Sequence, residues 1–220
     1  MKRVTSFTIV LCAVQFFCAA LVFGQNGVIR EFAGTVEIKR VGQTAFVPAR
    51  AGDTVARDTI VSTGFRSTAL ITVGHVVLTV RPLTRLSLAE ISSSAGTETL
   101  NVNLQIGRVR VDVDPPAGTR TNASVRGPSS SASVRGTSFE FDVQEIKVDN
   151  GIVAFKGKKG GIFLIGTGSL SKINDADRAT DPIIIITAEL LPPLPVGSDS
   201  GNNHGNASAG VIFAINLNFN

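Results

Sequence analysis

The chain has 220 residues and a formal net charge of +4, with 43% hydrophobic and 17% charged residues. That length fits one domain, alone or with short appendages, large enough to bury a core. Gly contributes 22 residues, Tyr and Trp are absent and Phe supplies every aromatic ring, which argues against long helices and for short strands joined by tight turns.

The N-terminus reads differently from the rest. Lys2 and Arg3 precede an apolar run from Phe7 to Phe23, and Val22-Phe23-Gly24 leads into polar Gln25-Asn26. A charged start, an apolar middle and small residues before a polar stretch predict a secretory signal peptide over residues 1–24. The alternative is an uncleaved anchor, because the apolar run approaches the length that spans a bilayer. A lipid-anchored form through Cys18 is disfavoured by bulky Phe17 beside it. Cleavage removes Lys2 and Arg3 and leaves 19 basic against 17 acidic residues, a net charge of +2. The pI of about 9.4 is thus partly a property of the leader, and no broad basic footprint argues for nucleic acid. Cys12 and Cys18 leave with the same segment, so the mature chain must hold together without disulfides. No later segment is long and apolar enough for a membrane-spanning helix.

From Phe32 to about Ile186 the pattern is short strands punctuated by Gly, Asp, Asn and Pro. Residues 33–40 alternate apolar and polar, Val41-Gly42-Gln43 offers a turn, and Ala45 to Pro48 starts a second strand. Val76, Leu78 and Val80 share one face, and Leu86 and Leu88 fall on the same parity. Leu100, Val102, Leu104 and Ile106 are apolar at even positions, whereas Val109, Val111 and Val113 are apolar at odd ones. Side chains alternate strictly along a strand, so the change of face predicts a bulge or corner at Gly107. Phe139, Phe141 and Val143 alternate with Glu140 and Asp142. Strands follow at 152–156 and 162–165 around a turn at Gly157-Lys158-Lys159-Gly160-Gly161. Ile183 to Ile186 reads as a buried strand. Composition then shifts: residues 189–210 form a Pro/Gly/Ser/Asn-rich linker, and 211–220 alternate as one last strand. A chain that turns corners between short strands predicts an all-β fold, a compact β-solenoid or roll, with a β-sandwich as the alternative.

Candidate chemistry is sparse. His75 reads as a turn residue and His204 lies in the linker; with no mature Cys, a transition-metal site lacks ligands. His75, Asp112 and Ser200 occur in the chain order of one type of serine-protease triad, but Ser200 sits in the linker, where no rigid element holds it. Gly157-Lys158 lacks the spacing of a phosphate loop, and Asn174-Asp175-Ala176-Asp177 lacks the central Gly and terminal Glu of a calcium loop, so both read as turns. Arg108 and Arg110 share a strand face with Asp112 and Asp114, either as an exposed polar face, the favoured reading, or as a charged docking surface. No catalytic residue, cofactor site or metal site is predicted.

One ordered set of motifs carries more. Val134-Arg135-Gly136-Thr137-Ser138-Phe139 resembles the V-R-G-T-x-F motif of FecR domains. Ahead of it, in order, come Gly34-Thr35-Val36, Ala51-Gly52-Asp53-Thr54-Val55, Ile60-Val61-Ser62-Thr63-Gly64 and Ser67-Thr68-Ala69-Leu70. Leu86-Ser87-Leu88 and Leu104-Gln105-Ile106-Gly107-Arg108-Val109 follow, and Val148-Asp149-Asn150-Gly151-Ile152-Val153 comes after the motif. The resemblance covers residues 32–173 within a β domain at 25–188. It implies an exported, non-catalytic binding or sensing module, periplasmic or extracellular, with a protein or envelope polymer as partner. Nucleic acid is not expected as a partner, nor is integral membrane insertion after cleavage. The best-known relatives are iron-uptake regulators with a cytoplasmic anti-sigma segment; only a few residues precede the apolar run here, so sigma-factor regulation is not expected. Val134, Arg135, Gly136, Thr137 and Phe139 are expected to be structural, with Arg135 donating to carbonyls at a kink. The competing reading is a structural protein of the outer membrane, motivated by the alternating segment that ends at Phe219-Asn220.

Overall fold

The computed structural model describes residues 25–94 and 96–184. The expected signal segment at 1–24, linker at 189–210 and last strand at 211–220 lie outside the described residues. Strands β1 (Gly27–Ala33), β2 (Val36–Lys39), β3 (Val47–Pro48) and β4 (Thr54–Val55) come first. Then follow β5 (Ile60–Thr63), β6 (Thr68–Val73), β7 (Val76–Val80), β8 (Arg85–Ser94) and β9 (Thr97–Ile106). After a corner come β10 (Arg108–Val113), β11 (Arg120–Arg126), β12 (Ser130–Arg135), β13 (Ser138–Asp142) and β14 (Glu145–Asn150). The last are β15 (Ile152–Gly157), β16 (Ile162–Gly166), β17 (Ser169–Lys172) and β18 (Ile183–Ile184).

These strands form two nine-stranded sheets, and no helix occurs among the described residues. The first sheet runs β18-β17-β14-β13-β10-β7-β6-β1-β4; the second runs β16-β15-β12-β11-β9-β8-β5-β2-β3. Neighbours are antiparallel except β9 and β11, which run parallel from Arg120↔Thr97 to Arg126↔Asn103. Both inner faces contribute to one continuous core. Phe141 of β13 and Phe155 of β15 meet edge-to-face across the layers, 6.4 Å between centroids at 75°. Each fully buried ring contributes on the order of 3 kcal/mol. The all-β expectation holds, and two sheets around one core agree with the sandwich alternative.

The path explains why the strands are short. The chain lays strands in one sheet, turns a corner, and crosses to the other. Where the corner is one or two residues long, the inward parity must change. Even positions face the core in β9 and odd ones in β10, on either side of Gly107 at φ +89°. The same change occurs from β12 to β13 through Gly136-Thr137, and from β14 to β15 through Gly151. The four-residue corners at 64–67 and 81–84 keep the parity unchanged. Gly107 is therefore a corner, as its flanking pattern predicts. A Cβ there would lie 2.6 Å from the Thr84 Cα and 2.7 Å from the Leu83 carbonyl oxygen, so only glycine fits.

Two expectations need correction. Residues 33–40 are not one strand: Gly34 at φ +76° separates β1 in the first sheet from β2 in the second. The isoleucine run is not a buried strand either. Ile183 and Ile184 form the edge strand β18 and are 44% and 49% exposed, because β17 covers them on one side only. Ile185 and Ile186 lie outside the described residues.

Candidate functional site

The V-R-G-T-x-F residues occupy the corner between β12 and β13. Val134 points into the core, Arg135 points out, Gly136 turns the chain at φ +61°, and Thr137 points in again at 2% exposure. Phe139 is fully buried one step further on. The Arg135 guanidinium donates from Nε to Asn122 Oδ1 at 3.1 Å, a side-chain partner on the neighbouring strand β11 rather than the expected carbonyls. The Thr137 methyl packs against Gly151, where any Cβ would fall inside the van der Waals envelope of Cγ2. Gly151 has φ +88°, and its N–H donates to Thr167 Oγ1 at 2.9 Å. Two motifs fourteen residues apart are thus one interlocked pair of corners. Among the described residues Thr137 Oγ1 is buried without a hydrogen-bond partner, as is Thr121 Oγ1.

A second set of corners is closed by buried hydroxyls. Ser67 Oγ accepts from the Thr35 N–H at 2.8 Å and donates to the Phe65 carbonyl at 3.0 Å. Thr63 Oγ1 donates to the Arg81 carbonyl at 2.6 Å and accepts from the Thr84 N–H at 3.0 Å. Thr84 Oγ1 donates to the Arg108 carbonyl and accepts from the Arg108 N–H, both at 3.0 Å. All three residues are at most 4% exposed. A corner interrupts the backbone ladder in a dry place, and each hydroxyl supplies the missing donor and acceptor together. The turn glycines are readable in the sequence, and Thr63 and Ser67 stand within its motif set, but no local pattern marks these hydroxyls as the groups that close the corners.

The outer face of the first sheet gathers the charges around Arg108 and Arg110. Glu140 receives Arg81 at 3.1 Å and Arg108 at 3.5 Å, and Arg108 also reaches Asp142 at 3.5 Å. Arg110 binds Asp112 at 3.1 Å and also Asp149, on β14. Lys147 approaches Asp149 at 3.8 Å, and Lys172 binds Glu145 at 3.0 Å. Burial alone would lower the Arg110 guanidinium, but hydrogen bonds to Asp149 and Asp112 hold it above its ordinary value. Five cations and five anions answer one another here, so the face projects little net field. Exposed Leu83 and Ile106 border it in a shallow groove beside Gly107.

His75 sits in the β6–β7 turn, as expected, but it has a partner that sequence spacing did not reveal. Glu98, at the start of β9 in the other sheet, accepts from the His75 backbone N–H at 3.2 Å and lies 2.8 Å from Nδ1. Gln25 Nε2 adds a third bond at 3.3 Å. Burial would raise the Glu98 carboxyl, yet the bonds from His75 and Gln25 hold it below the usual carboxylate range. The pair latches one sheet to the other. His75 does not meet Asp112 in a hydrogen bond, and Ser200 and His204 lie outside the described residues. Asn174 Oδ1 caps its own turn, accepting from the Ala176 and Arg178 N–H groups at 3.0 Å. Among the described residues no three His, Cys, Asp or Glu side chains converge as a metal site would require.

No curated protein matches the chain. Two crystal structures of a candidate anti-sigma factor from Parabacteroides distasonis ATCC 8503, at 1.65 Å and 2.50 Å resolution, are distantly similar. The identities are 13% and 14% and the TM-scores 0.45 and 0.44; each match covers 56% of this chain and 59% of the other. The chain therefore spans little more than half of those structures, and the likeness is too slight to carry a role across. The family model described as FecR protein matches residues 59–169, from the turn before β5 to the first residue of β17. That match takes in half of the 220 residues, including the interlocked Gly136-Thr137 and Gly151 corners: the chain belongs to the FecR family.

Proposed function

We propose that the chain is an exported, non-catalytic binding or sensing module of the bacterial cell envelope, with a protein or an envelope polymer as its partner. The observation that carries this reading is the coupling of a FecR domain to an N-terminal apolar segment headed by Lys2 and Arg3. A non-catalytic role is supported by how the charged groups are used. Glu140, Asp142, Asp149 and Glu98 are each engaged by a neighbouring base, which leaves them poor candidates for proton transfer. Val134, Gly136 and Thr137 turn a corner and fill the core, which supports a structural part for them. No helix among the described residues is long and apolar enough to cross a membrane.

The test is N-terminal sequencing and intact mass of the protein recovered from the envelope and medium of the producing cell. A first residue of Gln25 with no added lipid is expected. Intact chains beginning at Met1 in the cytoplasmic fraction would overturn the reading.

A further inference from the structure

The outer face of the second sheet differs from that of the first. Across β8, β9, β11 and β12 the outward residues form a grid set by the strand register. One row runs Ser92–Thr99–Asn122–Arg135, and the next Glu90–Asn101–Ser124–Ser133. A third runs Asn103–Arg126–Ser131, beside the buried Ser87, and continues to Lys156 on β15. Amides and hydroxyls fill the middle, and cations stand at the margins. Asn101 Nδ2 donates to Glu90 Oε2 at 2.5 Å, Ser124 bonds Asn101, and Arg57 with Arg126 flanks the shallow groove they line.

The charge on this face is unanswered. Arg120, Arg126, Arg135 and Lys156 are exposed and form no ion pair among the described residues. Glu90 is the one carboxylate of these strands that points outward, since Glu98 is turned to His75. Arg126 and Lys156 lie two strand spacings apart, about 10 Å, so one extended chain can reach both.

We propose that this face docks an acidic polysaccharide, a hydroxyl-rich chain bearing carboxylate or sulfate groups. Arginine forks suit those anions. Asn, Ser and Thr side chains both donate and accept, as sugar hydroxyls do. Single-stranded nucleic acid fits less well, because no aromatic ring stands in the grid to stack on a base. The proposal rests on the reading of an exported binding module and names the ligand class that such a module would meet.

The experiment measures binding of the full chain to polygalacturonate and dextran sulfate, with neutral dextran and duplex DNA as references, over a range of salt. Binding to the two acidic polymers and not to neutral dextran is expected. The double variant R126E/R135E should bind at least about tenfold more weakly, with a shallower salt slope. The variant R30E/R50E, with the same charge change away from this face, should stay within about threefold of the parent. Melting curves check that each variant is folded; R126Q/R135Q replaces the first pair if it is not. Equal losses in both double variants, tighter binding to DNA, or no binding to either acidic polymer would overturn the proposal. A chain that begins at Gln25 outside the cytoplasm yet ignores both polymers keeps the exported-module reading and sinks this one alone.

Discussion

The interlock between Thr137 and Gly151 makes a quantitative prediction. Gly151→Ala places a methyl at φ +88° and into the space of the Thr137 Cγ2. The backbone strain costs roughly 1.5 kcal/mol, and the overpacking a similar amount, about 3 kcal/mol together. For a domain of this size that lowers the melting midpoint by roughly 6–12 °C. Thr137→Ser alone removes one buried methyl and costs about 1 kcal/mol. Independent effects would add to about 4 kcal/mol. In the double variant the new methyl at 151 instead occupies the space left at 137, so the overpacking and much of the cavity vanish together. A total near 2 kcal/mol is expected, hence a coupling of about 2 kcal/mol. Urea unfolding of the four proteins, with an unchanged slope, measures it. Additivity within about 0.5 kcal/mol would refute the interlock.

Two further outcomes follow from the corners and the latch. Gly107→Ala meets the Thr84 hydroxyl and also the backbone of Thr84 and Leu83, which no side-chain change removes, so no single partner substitution should rescue its loss of about 3 kcal/mol, read by the same unfolding curves. Glu98→Gln should cost about 1 kcal/mol at pH 7. A carboxyl held low in the folded state adds stability above its unfolded value and loses it as pH falls through the folded one, so the gap in melting midpoints between parent and variant should begin to close as pH drops below about 4 and keep closing on further acidification.

What could be read from the sequence was local and periodic. Gly107 announced itself because apolar parity changes across it, and a parity change is visible in one dimension. β1 escaped notice because a register shift between Ile29 and Glu31 breaks its alternation. β11 and β12 escaped because their inward positions are partly filled by Thr121, Ala123, Ser130 and Ala132, which look like loop or surface residues by composition. The isoleucines at 183–184 were misplaced because apolarity marks a wish for cover, and cover depends on which strand ends the sheet. Long-range pairs were invisible for a different reason. His75 meets Glu98, and Arg110 meets Asp149, only because the register of distant strands brings them together. The motif set signalled the family, yet the reason for its spacing, a threonine methyl seated on a glycine in the next corner, needed three dimensions.

The sheet edges are unequal, and that inequality governs how copies of the molecule can join. β3, β4 and the described part of β18 are two residues long, too short to template another strand. β16 has five residues, with Ile162 and Leu164 64% and 68% exposed on its outer side. Backbone pairing through the described edges therefore has one good donor and no second, different acceptor. A β16 of one copy finds its match only in the β16 of another, a two-fold contact that uses up both edges. Among the described edges such pairing closes at two molecules instead of growing into a filament.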